Sequence, residues 1–168
     1  LSQFIQTKKI ARLDPIRFIG KPVVTSNEAE MKGEGVIPSL WQSFNKHSII
    51  EKIPNKKNPN ILAIYTNYES DEAGSYTFAI GAEVTTINQV PTGMKSFFIR
   101  ECPYVVFTTR KGSIPEIVVE AWQYIWEWSK TNKRAFLTDF EVYDERCKNP
   151  ENSQVDIYIS VIGDFPLF

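Results

Sequence analysis

The sequence predicts an α+β fold of two fused strand-helix-strand-strand modules, with antiparallel sheets, pseudo-twofold symmetry and a cleft between the modules. Three observations predict it. Hydrophobic periodicity changes along the chain in the order strand, helix, strand, strand, and then the order repeats. Leu40-Trp41-Gln42 in the first helical segment is echoed by Ala121-Trp122-Gln123 in the second. Residues 62–69 (LAIYTNYE) are echoed by residues 137–144 (LTDFEVYD), which aligns Tyr68 with Tyr143 and Thr66 with Glu141 and points to an internal duplication.

Residues 16–24 read as the first strand, interrupted by Gly20 and Pro22, and the polar stretch 26–36, with Gly33 and Gly35, reads as a loop. A short helix follows: Pro38 suits its first turn, and Ile37, Leu40, Trp41 and Phe44 fall at i, i+3, i+4 and i+7. After a loop over 51–60, residues 61–68 and 75–84 form a hairpin around a turn that ends at Gly74. Residues 88–93 link module one, about 8–87, to module two, about 95–163.

In module two, residues 95–110 form one long strand or two strands broken at Cys102-Pro103. Residues 116–130 form the strongest helix, with Glu116, Glu120, Gln123 and Glu127 on a narrow polar face and Ile117, Ala121, Trp122, Ile125 and Trp128 on a broad apolar one. Residues 135–143 and 155–162 are strands; in the second, Val155, Ile157, Ile159 and Val161 alternate with polar positions.

Bulk properties exclude several functions. A net charge of −1 and the lack of a basic stripe argue against direct nucleic-acid binding, where phosphate contacts dominate affinity. No apolar run approaches the roughly 20 residues of a membrane span. Two distant cysteines, Cys102 and Cys147, indicate free thiols and a reducing, cytoplasmic location. With His47 alone near a helix end, neither a metal site nor a Ser-His-Asp set is expected, and no phosphate loop or cofactor motif is present. Eleven Phe, seven Tyr and four Trp exceed the needs of a core this size, so part of them is expected in a binding surface.

Alternation along residues 135–143 separates Phe136, Phe140 and Val142 from Leu137, Asp139, Glu141 and Tyr143. If the helix covers the phenylalanine face, Glu141 and Tyr143 point away from it. The echo then carries Tyr68 to the same side, and Tyr158 shares a mixed face on the last strand. Two such faces together build a cleft holding a carboxylate ringed by phenols. The alternative is a solvated face of an antiparallel sheet.

The ordered set GAEV (81–84), VPTGM (90–94), YVVFTTRKG (104–112), AWQYIWEW (121–128), DFEVYD (139–144) and VDIYISVI (155–162) resembles the GyrI-like effector-binding family of bacterial transcription regulators and free-standing small proteins. LWQSF (40–44), Tyr65 and Tyr68 extend the resemblance to about residues 8–162. It implies one effector-binding domain over residues 1–168, with helices on one side and a groove into which Glu141 faces. It further implies a multidrug-type pocket for lipophilic or cationic aromatic compounds, lined by Glu141, Tyr143, Tyr68, Tyr158, Phe107 and Trp126, with Tyr65 exchanged for Tyr68 if the strand faces are inverted. The family also implies two alternatives: hydrolysis of strained cyclopropane-bearing toxins with Glu141 as the catalytic candidate, and a protein-interaction role such as gyrase inhibition. A DNA-binding partner domain is expected only if the chain, which opens on Leu1, is a piece of a longer regulator.

Overall fold

The computed structural model describes residues 3–163. Along the chain lie β1 (Ile5–Arg12), β2 (Ile16–Ser26), α1 (Asn27–Met31), α2 (Ile37–Lys46), β3 (Ile61–Thr66), β4 (Ser75–Val84), β5 (Lys95–Ile99), β6 (Pro103–Thr109), α3 (Ile114–Trp128), β7 (Thr138–Tyr143) and β8 (Asp156–Ser160). The repeated order is therefore β2-α2-β3-β4 followed by β6-α3-β7-β8.

The two expected antiparallel sheets are halves of one eight-stranded sheet, in the order β1-β6-β8-β7-β3-β4-β2-β5. The halves join where β3 pairs with β7, from Ile61 opposite Tyr143 to Thr66 opposite Thr138. That seam removes two edges that would otherwise present unpaired backbone groups. The outer strands are exchanged: β1 precedes β2 in sequence yet pairs with β6, whereas β5 precedes β6 yet pairs with β2.

Both longer helices cover one face. Ile117, Ala121 and Ile125 of α3 pack on Val105, Phe107, Ile157 and Ile159. Leu40 and Phe44 of α2 pack on Ala63, Phe78 and Ile80. Among the described residues the opposite face carries no helix but is equally dry: Phe18, Leu62, Ile64, Ile99, Tyr104 and Phe140, drawn from five strands, form one buried cluster. The sheet curls around this cluster, so both of its faces are core.

Two elements differ from expectation. β1 buries only Ile5, so its sequence carries no alternation to detect. The loop expected over 26–36 contains α1, whose start is capped by the Ser26 hydroxyl accepting from the Ala29 amide at 3.2 Å.

Gly20 of β2 stands opposite Gly81 of β4. A Cβ at Gly81 would lie 2.0 Å from the Ile19 carbonyl oxygen, a backbone atom that cannot turn aside. Gly81→Ala should therefore destabilise the protein by about 1–3 kcal/mol, the usual range for overpacking, in urea denaturation. An unchanged midpoint would contradict this close approach of β2 and β4.

Candidate functional site

The site is built on the helix-covered side of the β3–β7 seam. Alternation along β7 places Asp139, Glu141 and Tyr143 on that side and sends Phe140 and Val142 to the helix-free cluster. This inverts the expected facing. The expectation assumed that the apolar side of the strand lies beneath the helix, but here the helix-free side is also core and claims the phenylalanine.

Glu141 is 1% exposed. Its Oε2 accepts from the Tyr65 hydroxyl at 2.7 Å and from Trp122 Nε1 at 2.8 Å. Its Oε1 accepts from the Tyr143 hydroxyl at 2.6 Å. All three donors are neutral, and Glu141 forms no ion pair among the described residues. Burial raises its pKa, and the three hydrogen bonds offset that rise only in part. Burial and the adjacent carboxylate push the Tyr65 and Tyr143 phenols well above their ordinary range, so both remain donors.

Asp139, two residues earlier on the same face and fully buried, is satisfied differently. Its Oδ1 accepts from the Ser160 amide at 2.7 Å and the Ser160 hydroxyl at 2.9 Å. Its Oδ2 accepts from the Tyr68 hydroxyl at 2.6 Å and from Arg134 Nη2 at 2.7 Å, which completes a buried ion pair. The Arg134 guanidinium lies 4.4 Å from the Phe136 ring centroid and 5.8 Å from that of Trp122.

Tyr65 and Tyr68 both reach this side, although three residues along a strand would separate them. Asn67, at φ 50°, breaks the alternation and returns Tyr68 to the side of Tyr65. The sequence echo is consequently one residue out of register. It aligns Tyr65 with Phe140, yet Tyr65 lies on the helix-covered side and Phe140 in the helix-free cluster, and a slip of one exchanges the faces.

These side chains wall a cavity of about 200 Å³. Tyr65, Tyr68 and Tyr76 form one side, Trp122 and Trp126 of α3 another, and Arg134 one end. Asn27, Glu30 and Met31 of α1 form the outer wall. Glu141 sits immediately behind Tyr65 and Trp122 rather than open to the cavity.

Of the expected site residues, Tyr68 and Trp126 line the cavity, whereas Glu141 and Tyr143 are bonded to each other behind its wall. Two do not join them. Phe107 is fully buried beneath α3, against Trp128 at 5.0 Å. Tyr158 lies on the opposite face of the sheet, stacked on Phe140 at 4.6 Å, where it borders a separate cavity. Sequence reasoning assigned Trp122 to the core and passed over Arg134 and Tyr76. Trp122 is buried, but its indole N–H had to find a partner, and that was the one available signal. Arg134 sits in the polar run 131–134 and carries none. Among the described residues no cluster of His, Cys, Asp and Glu could hold a metal, and no helix is long and apolar enough to cross a membrane.

Comparison with known proteins agrees with this architecture. The family Cass2, described as integron-associated effector binding protein, matches residues 9–161. The Bacillus subtilis protein YobU, named for transcriptional regulation, is 38% identical over 153 residues, covering 90% of this chain and 96% of YobU. The integron cassette protein from the mobile metagenome of Vibrio cholerae superposes with a TM-score of 0.76 at 28% identity, covering 95% of this chain and 98% of that one. SAV2435, solved bound to tetraphenylphosphonium, superposes with a TM-score of 0.77 at 18% identity, covering 94% and 95%, and shares the fold.

A carboxylate with a raised pKa binds its proton more tightly in the folded state than in the unfolded state. Its contribution to stability is greatest below the unfolded value of about 4.3 and is lost as pH rises through the folded value. The stability of Glu141→Gln relative to wild type should therefore increase with pH across that window, as read by urea denaturation at a series of pH values. A pH-independent difference would show that Glu141 keeps an ordinary pKa.

Proposed function

We propose that this chain, which belongs to the Cass2 family of integron-associated effector-binding proteins, is a single effector-binding domain that captures lipophilic aromatic cations in the cavity in front of Glu141. It would serve as a sensor or a sequestering protein. One observation carries the reading: Glu141 is a fully buried carboxylate whose partners are all neutral donors. An ionised carboxylate in such a place is costly without a cation. A guest cation supplies one, and the faces of Tyr65, Tyr68, Tyr76, Trp122 and Trp126 add about 0.5–2 kcal/mol for each good contact.

Shape supports the same class of ligand. Flat rings on several elements exclude water without imposing a detailed outline, which suits bulky hydrophobic guests. The cavity volume of about 200 Å³ is below the roughly 300–1,000 Å³ of drug-sized sites, so a large guest must displace a wall. The outermost wall is α1, which has no buried residue and leaves Met31 74% exposed; moving it would break the hydrogen bonds that Glu30 accepts from Thr25, Val36 and Ile37. The tetraphenylphosphonium held by SAV2435 has the expected chemistry. Within this reading Glu141, Tyr65, Tyr68, Trp122 and Trp126 carry recognition and Tyr143 orients the carboxylate.

Hydrolysis is the second reading, and the buried Glu141 with the Tyr65 and Tyr143 hydroxyls beside it favours it, since a positioned carboxylate can act as a general base. A base must also have room for a water against its lone pairs. Three donors already occupy the Glu141 oxygens, which is why binding is preferred.

Tetraphenylphosphonium should raise the apparent melting temperature in a dose-dependent way, because a ligand of the folded state stabilises it. Tetraphenylborate, similar in shape and opposite in charge, should not. Glu141→Gln should weaken tetraphenylphosphonium binding by about 1–3 kcal/mol, the range for a charged partner. Equal affinity of the wild type for both ions would refute a cation site. Turnover of a strained electrophile that Glu141→Gln abolishes while binding persists would establish the hydrolase instead.

A further inference from the structure

We infer that the cavity contains two cation sites and that the chain fills one of them with its own Arg134, which thereby disfavours a cationic group of the guest at that end. The inference rests on the cation-binding reading and assigns a specificity-determining residue within it.

The surroundings of Arg134 repeat those of Glu141. Asp139 is a fully buried carboxylate, Tyr68 donates a phenol to it at 2.6 Å, and Phe136 and Trp122 present rings to the guanidinium. Around Glu141 stand two phenols, from Tyr65 and Tyr143, and the same Trp122. The two carboxylates are neighbours on one face of β7, and Trp122 is shared between them. Each arrangement is a carboxylate-and-aromatic cage of the kind that attracts organic cations. One holds a guanidinium tethered to the chain, and the other holds no cation among the described residues.

The bonding of Arg134 is not that of an ion pair built for rigidity. Arginine and carboxylate commonly meet through two parallel hydrogen bonds. Here only Nη2 reaches Asp139, and Nε is buried with no partner. The side chain is 6% exposed and forms one end of the cavity. It neutralises Asp139, so Glu141 is the one fully buried carboxylate of β7 without a cation, while Glu30 and Glu72 line the outer part of the cavity. It also places a fixed positive charge where a second cationic group of the guest would sit. The geometry therefore disfavours a guest that carries a cationic group at the Arg134 end of the cavity.

Titration calorimetry with tetraphenylphosphonium tests this on wild type, Arg134→Gln, Asp139→Asn and the double variant, with folding checked by circular dichroism. Arg134→Gln leaves Asp139 without its cation and should bind tetraphenylphosphonium about 10-fold tighter or more, a modest share of the Coulomb energy of one added charge nearby. Asp139→Asn leaves Arg134 unbalanced and should weaken binding by a similar factor. The double variant restores the charge balance and should return toward wild-type affinity. A purely structural role predicts something else: affinity lost in all three variants, in step with stability. Folded Arg134→Gln with unchanged or weaker binding overturns the inference. If Arg134→Gln does not fold, Asp139→Asn decides, and undiminished affinity there overturns it. The native function is separable from this test. Binding by Arg134→Gln but not by wild type would refute native capture of cations and support the charge role of Arg134, whereas binding by neither refutes both.

Discussion

Glu141 holds a carboxylate at the seam of the sheet, under the helices, where bulk water cannot solvate it. Its position constrains much of what surrounds it. Tyr65 must come from the other half of the sheet, so β3 and β7 must pair and the two halves must share one ladder. Trp122 must present its indole N–H downward from α3, which fixes the rotation of that helix on the sheet. Tyr143 must turn back toward its own strand, where Trp41 of α2 supports it at 5.0 Å. Groups from both halves thus converge on one carboxylate, so a guest bound in front of it would be sensed by both. The three neutral hydrogen bonds only partly offset the cost of burying this carboxylate.

Much of this was legible in the sequence, and the exceptions have physical causes. The repeated order of elements and the effector-binding resemblance led to the right α+β architecture and family. Tyr68 and Trp126 do line the cavity, with Glu141 and Tyr143 bonded to each other behind its wall. The facing of β7 was misjudged because alternation reveals two faces without saying which lies under the helix, and both faces are buried here. The choice between Tyr65 and Tyr68 had no answer in periodicity, since the left-handed backbone at Asn67 brings both to one side. The exchange of β1 and β5 was hidden because edge strands bury little: β1 offers Ile5 alone. Arg134 lay in a run of polar residues, and only the fold brings Asp139, Tyr68 and Phe136 around it.

The pair of carboxylates on β7 shows how one strand can give two equal charges different fates. Asp139 receives two donors from Ser160 and a guanidinium, and it ties β7 to β8. Glu141 receives only neutral donors. Arg134 lies at one end of the site and reaches Asp139 through Nη2 alone. The opposite wall, α1, is held by hydrogen bonds alone: the Asn27 side chain accepts from the Tyr76 hydroxyl at 3.1 Å and donates to the Glu72 carbonyl at 3.0 Å, and Glu30 accepts from the Thr25 hydroxyl at 2.6 Å and the Val36 amide at 2.8 Å.

The central claim is that a cationic guest answers the buried charge of Glu141. Proton release on binding tests it most directly. A cation placed beside a carboxylate of raised pKa lowers that pKa, so binding at mildly acidic pH must expel a proton. Calorimetric titration of tetraphenylphosphonium in buffers of different ionisation enthalpy measures that proton. Wild-type protein is predicted to release a fraction of a proton that falls to zero as pH rises above the Glu141 pKa. Glu141→Gln is predicted to lose that release. Binding with no proton release at any pH, or with equal release in both proteins, would contradict the account.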